Sequence, residues 1–267
     1  GDFTVGSVDG VAGYVHVSAT GAILDGGDSL VDVVADRLQL EVGTGAGLLG
    51  AATYNPLEIN ANVMSALVTA GPLALSEVDA IEIGLTEGSV DKLDVDGLAS
   101  TAIDTSAARY GFESLGGGSV TLVPVATPTT AAVRVSGAGN LLLHANASGA
   151  SVILEGDVDL TTGAITLRGT NGVSLAANVT VETGGLGTID VFSSAGGLTM
   201  AEGSTITAVA GDVVVETAGN VLVAGIETGT RVSLTSTGGS VLDNEATRVN
   251  VAASSLRIAA NGDVGAS

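Results

Sequence analysis

This sequence offers few residues with which to begin chemistry. It has two histidines and no cysteine, so thiol nucleophiles, disulfides and cysteine-held metals are excluded. His16 sits in Val15-His16-Val17 and His144 in Leu143-His144-Ala145. Each is the polar member of an alternating apolar run, which predicts that each points outward from a strand. No two His or Asp residues have the local spacing of a zinc site with supporting ligands. A hard cation needs only oxygens, which leaves the Asp-rich stretches. Asp91, Asp94 and Asp96, in Val90-Asp-Lys-Leu-Asp-Val-Asp-Gly97, form the best calcium candidate. They match neither the EF-hand loop nor the Gly-Asp nonapeptide of calcium-binding β-rolls, and a solvated acidic loop explains them better.

Paired carboxylates could support acid and base roles on a polysaccharide. Asp157 and Asp159 share one face of a strand, and Asp32 and Asp36 are a second pair close in sequence. A sugar-cutting groove also needs aromatic and basic side chains. Arg134, Arg168, Arg231, Arg248 and Arg257 stand apart from one another, and the six aromatics are scattered. Tyr110 and Phe112 are the one concentrated aromatic pair, a binding-patch candidate or a plug beneath an irregular coil. The glycines of Leu115–Ser119 (LGGGS) lack the Lys-Ser/Thr of a phosphate loop, and no nucleophile-elbow motif is present. The residues thus predict a chain that is not an enzyme and holds no cofactor, calcium being the one open possibility.

The elements that must position these residues are short strands. From Gly163 to Ile258, pairs such as Ile165-Thr-Leu167, Val173-Ser-Leu175, Ile189-Asp-Val191, Val213-Val-Val215 and Val232-Ser-Leu234 place two apolar residues about one outward residue. Ile165, Ile189 and Val213 are 24 residues apart, as are Val232 and Leu256. Strands beginning about every eight residues and recurring every 24 predict an all-β, right-handed parallel β-helix, a β-solenoid with three short strands per coil. Val173, Leu175, Val213, Val215, Val221, Val223, Val232 and Leu234 should face inward. About eleven coils at ~4.8 Å each would make a rod roughly 50 Å long. Residues 1–267 read as one continuous stack with three parts. These are a first set of coils over 1–85, an irregular acidic coil or insertion over 86–117, and regular coils over 118–267.

Composition agrees. Gly supplies 40 residues, enough for the many corners where the chain must turn tightly. Aromatics are 2% of the chain, fewer than a thick globular core uses, whereas stacked Val, Leu, Ile and Ala fill a thin one. Asn140, Asn171, Asn178, Asn220 and Asn244 fall near strand boundaries, where Asn tolerates left-handed backbone. The formal charge of −21 disfavours nucleic acid, which requires a basic footprint, and disfavours adsorption to an anionic bilayer. No apolar run approaches the ~20 residues of a membrane span.

The chain also returns to itself. Gly21–Leu40 aligns without a gap on Gly239–Ile258 at an offset of 218, with Leu24-Asp25 meeting Leu242-Asp243 and Leu38 meeting Leu256. Shared alternation over twenty residues predicts equivalent places in successive units, with open strand edges that invite end-to-end association.

The turns followed by short Val/Leu pairs, as in Thr217-Ala-Gly-Asn-Val-Leu-Val223, Thr237-Gly-Gly-Ser-Val-Leu-Asp243 and Ser194-Ala-Gly-Gly-Leu-Thr199, resemble those of bacterial filamentous-haemagglutinin-like, giant β-strand-repeat surface adhesins. The resemblance spans most of 118–267 and, more weakly, 1–85. It implies an exported stalk or filament module at the bacterial surface. Its partners would be adjacent units and a host or neighbouring-cell surface. A carbohydrate- or cell-surface-binding module and, more remotely, a polysaccharide-active β-helix enzyme are the rival readings.

Overall fold

The computed structural model describes residues 1–267 apart from 27–29, 48–54, 94–98, 116–118, 125–128, 131–132, 136, 146 and 266–267. The described residues are all-β and contain no helix, forming a parallel β-solenoid of about 9 turns at roughly 24 residues per turn. Each strand pairs in parallel with the strand one coil earlier and one coil later. On the first side, Leu122, Leu143, Leu167, Val191, Val215, Leu234 and Ile258 form one inward column. On the second side, Val152, Val173, Leu198, Val221, Val241 and Val264 stack. On the third, Phe112, Val133, Val158, Val181, Ile206, Ile226 and Val251 do. All eight residues expected to face inward are buried. The period of two explains this: one side chain in two points into a core only one residue deep from each side.

Corners are held by small residues and hydroxyls. A Cβ on Gly196 would lie 1.5 Å from the carbonyl oxygen of Asn171, so the coils touch backbone to backbone there. Ser193, Thr217 and Ser236 stack at the end of the first side. Ser193 accepts from the Gly196 N–H at 3.1 Å and Ser236 from the Gly239 N–H at 3.0 Å, so buried hydroxyls satisfy turn amides. The asparagines bond to backbone: Asn140 Oδ1 accepts from the Ala164 N–H (2.8 Å) and Asn220 Oδ1 from the Ser240 N–H (2.9 Å), each one coil on.

The early coils differ from the expected short strands. Val8–Ala19, Val33–Val42 and Leu57–Val68 run for 12, 10 and 12 residues and turn corners without breaking the ladder. The turn count is also about nine rather than eleven, because Leu85–Leu93 and Ala99–Tyr110 leave the stack and pair antiparallel with each other as a two-stranded hairpin. Equal length does not add coils when the chain detours.

The echoing segments are not equivalent. Leu40 lies in the column that runs through Ala66, Phe112 and Val133 to Val251, on the third side. Its sequence counterpart Ile258 stacks on Leu234, on the first side. All three sides share one apolar alternation, so a pattern match carries no information about which side a segment occupies.

Candidate functional site

The detour creates the most elaborate polar arrangement among the described residues. The hairpin lies over the outer surface of the early coils, and its contact layer is polar. Tyr14 bonds Gln39 and Ser106, and Thr86 bonds Ser65 at 2.6 Å. Gln39 Nε2 donates to the Ala107 carbonyl at 3.1 Å and to Glu41 at 3.2 Å. The Arg109 guanidinium, 18% exposed, donates to Glu41 at 3.0 Å and lies 3.8 Å from Glu113. His16 is 3.7 Å from the other Glu41 oxygen. Burial beneath the hairpin raises the Tyr14 phenol, the Glu41 charge adding to it, while the Ser106 bond and Arg109 oppose. Gln39, Ser65 and Thr86 are fully buried. This layer glues a detour to a rod; apart from the buried Arg109 Nε, its groups are spent largely on one another.

Where the hairpin returns to the stack, an open groove of about 550 Å³ runs along the corner before the third side. Gly111, at φ 75, makes the turn between Tyr110 and Phe112, a backbone that L side chains rarely adopt. The turn separates the two aromatics. Phe112 is 2% exposed and enters the core column, where it plugs the rod and closes the floor of the groove. Tyr110 is 57% exposed and lines the groove. Asp157 and Asp159 line it as well, with Arg134, Glu113, Glu155 and Asn178. Arg134 sits 3.7 Å from Asp159, one coil away, and Asp157 Oδ1 accepts from the Thr180 N–H at 2.8 Å. Asn178 has φ 63 and holds the next corner.

A second cluster lies at the other end of the detoured region. Asp25, Asp32 and Glu58 each present an oxygen within 4.8 Å of the others. Asp32 is 1% exposed and accepts from the Glu58 N–H at 3.1 Å. Burial, then the charges of Asp25 and Asp32, push the Glu58 carboxyl up to about 7. Three oxygens at this spacing could hold a hard divalent cation such as Ca²⁺. Nearby, Glu77 is fully buried, and its carboxyl oxygens accept from Ala61, Val78 and Asp79 amides. Burial outweighs those donors and pushes it up to about 8.

The residues singled out in the sequence are thus redistributed. Asp94 and Asp96 lie outside the described residues, and Asp91 is placed only as a backbone position in the hairpin. Asp32 and Asp36 do not act together, since Asp36 bonds Asn62 at 2.9 Å while Asp32 joins Asp25 and Glu58. Arg168 lies 4.7 Å above the Phe192 ring, Arg134, Arg231 and Arg248 each pair with one carboxylate, such as Asp212 for Arg231 at 2.7 Å, and Arg257 donates to Ser233 and Thr235. Burial and the Arg168 charge lower His144 beneath its ordinary value. Sequence reasoning missed Tyr14, Gln39, Glu41, Ser65 and Arg109 as one network. Apart from the Gln39–Glu41 and Arg109–Glu113 contacts, their partners are 21 to 92 positions apart, so only register brings them together.

Compared with protein-family models, curated proteins and solved structures, the chain matches none.

Proposed function

We propose that this chain is a structural rod module: a repetitive stalk or filament segment of an extracellular bacterial surface protein, adhesin-like and non-catalytic. The observation that carries the reading is the in-register parallel ladder through about nine turns, in which each coil contacts chiefly its neighbours. Such a body lengthens by adding coils and keeps a constant cross-section, which is what a spacer requires. Its partners in this reading are adjacent units. Leu256, Ile258 and Val264 continue three inward columns yet are 50%, 37% and 58% exposed, so the last described coil offers an apolar, edge-on surface for a further coil. The acidic balance suits a surface that repels neighbouring rods.

Removal of one coil, residues 189–212, tests the rod reading. Nearest-neighbour stacking predicts a shortened protein that still melts cooperatively, with Tm lowered by several degrees. Collapse to an unfolded chain overturns it. For location, antibodies raised against this chain should label intact cells that produce it. Labelling seen only after permeabilisation overturns the extracellular placement.

A further inference from the structure

We propose that the corner groove beside the hairpin is a binding site for a neutral oligosaccharide. The inference goes beyond the rod reading and does not rest on it.

The groove combines three things that a pyranose ring requires. The first is an apolar face. Tyr110 is 57% exposed at the end of its strand, fixed by the Gly111 turn on one side and by its antiparallel pairing with Leu85 on the other. An exposed ring on a rigid element offers contact area with little side-chain entropy to lose. The second is a rim carrying both donors and acceptors. Arg134 has five N–H donors, and its contact with Asp159 at 3.7 Å engages Nε, leaving the others directed elsewhere. Asp157 Oδ1 takes the Thr180 amide, which orients the carboxylate while its other lone pairs remain for hydroxyls. The third is volume. About 550 Å³ falls within the range of small-molecule sites and fits a few sugar rings.

The mixed rim decides the ligand class. A cation needs acceptors only, and two of the four lining carboxylates, Glu113 and Asp159, already face arginines. A sugar hydroxyl donates and accepts at once, which matches alternating carboxylate, guanidinium and the Asn178 amide. The chain's −21 charge disfavours acidic glycans. Beside Tyr110 and Glu113, the rim takes Arg134, Asp159 and Asn178 from one, two and three coils further on, so the groove exists only while the ladder holds its register.

The test is calorimetric titration of the full chain with neutral tetrasaccharides of β-1,4-glucose, α-1,4-glucose, β-1,4-N-acetylglucosamine and mannose. At least one should bind with Kd of about 1 mM or tighter. Tyr110→Ala should weaken that binding by about ten-fold and Arg134→Gln by about three-fold, while Tyr110→Trp retains it. Phe192→Ala, on a different side of the rod, should leave it unchanged. Both Tyr110 variants alter an exposed position, and an unchanged melting curve will show that the groove is still built. Failure of the whole panel to bind overturns the proposal. So does binding that is indifferent to Tyr110→Ala, or tighter capture of tetralysine in the same groove than of any sugar.

Discussion

The regular coils from about residue 140 to 243 and the early coils solve the same problem differently. In the regular coils, inward columns are apolar, and buried polar groups such as Ser193, Thr217 and Ser236 are hydroxyls confined to corners. The early coils bury Asp32, Gln39, Ser65, Glu77 and Thr86, two of them carboxylates, and carry the hairpin. Both regions maintain parallel register. The contrast shows what a detour from a solenoid costs: an excursion brings polar backbone against an outer face, and that face must supply matched partners. Uniform stacking needs none, because each coil's amides are already met by its neighbour.

The largest expected effect strikes the regular region. Val215→Asp places a carboxylate in an apolar column between Val191 and Leu234, and should cost about 4–5 kcal/mol by chemical denaturation. If it costs under about 1 kcal/mol, the regular core is far looser than the ladder implies.

The early coils should respond to pH instead. Glu77 rises from its ordinary 4.5 to about 8 and Glu58 to about 7 on folding. The folded state therefore holds protons that the unfolded chain releases between pH 4.5 and those values. Their contribution is greatest at the acid side of this window and is lost as pH rises through it. Stability should fall between pH 5 and pH 9, on the order of a few kcal/mol for Glu77. Asp212, Asp243 and Glu245 are held below their ordinary values by hydrogen bonds, so they titrate below this window. Glu77→Gln should flatten the slope of Tm against pH, and an unchanged slope would remove Glu77 as its source.

Arg109→Ala leaves Glu41 without its closest cation beneath the hairpin and should cost about 2 kcal/mol, read most directly as faster amide exchange in Leu85–Leu93. Exchange unchanged in that strand would mean the network does not hold the hairpin. Glu58→Gln should raise Tm slightly at pH 8 and leave it level at pH 5, since it removes a charge beside Asp25 and Asp32. A fall at pH 8 would argue that the charge is wanted there. The smallest effect belongs to the exposed Arg231–Asp212 pair, where Arg231→Ala should leave the melting temperature essentially unchanged, and a clear drop would mean that the pair does more than an exposed ion pair does.

The sequence made the regular coils legible because their signal is local. Val173 and Leu175, or Val232 and Leu234, announce their inward face by alternation, and the 24-residue recurrence supplies the pairing. The number of turns was less accessible, since a hairpin strand reads as a solenoid strand until its partner is known. Tyr110 was visible as half of an aromatic pair, and Asp157 and Asp159 as a pair, but nothing in the linear order joined them. Their adjacency depends on one strand sitting above another at fixed register. Asp25 and Glu58 were invisible for the same reason. The glycine that parts Tyr110 from Phe112 was in plain view, and its left-handed turn is what sends one ring outward and the other inward.

The inter-coil hydrogen bonds point along the rod, which has a mechanical consequence. Tension applied at the two chain ends opens one edge coil first, while the coils behind it keep their neighbours on both faces. The molecule then unwinds as a spool does, one turn at a time. Each released turn of roughly 24 residues pays out about 80 Å of extended chain, against a thickness of about 4.8 Å in the stack. Force is thus absorbed in small repeated steps by lengthening, where a body with a single breaking point would snap.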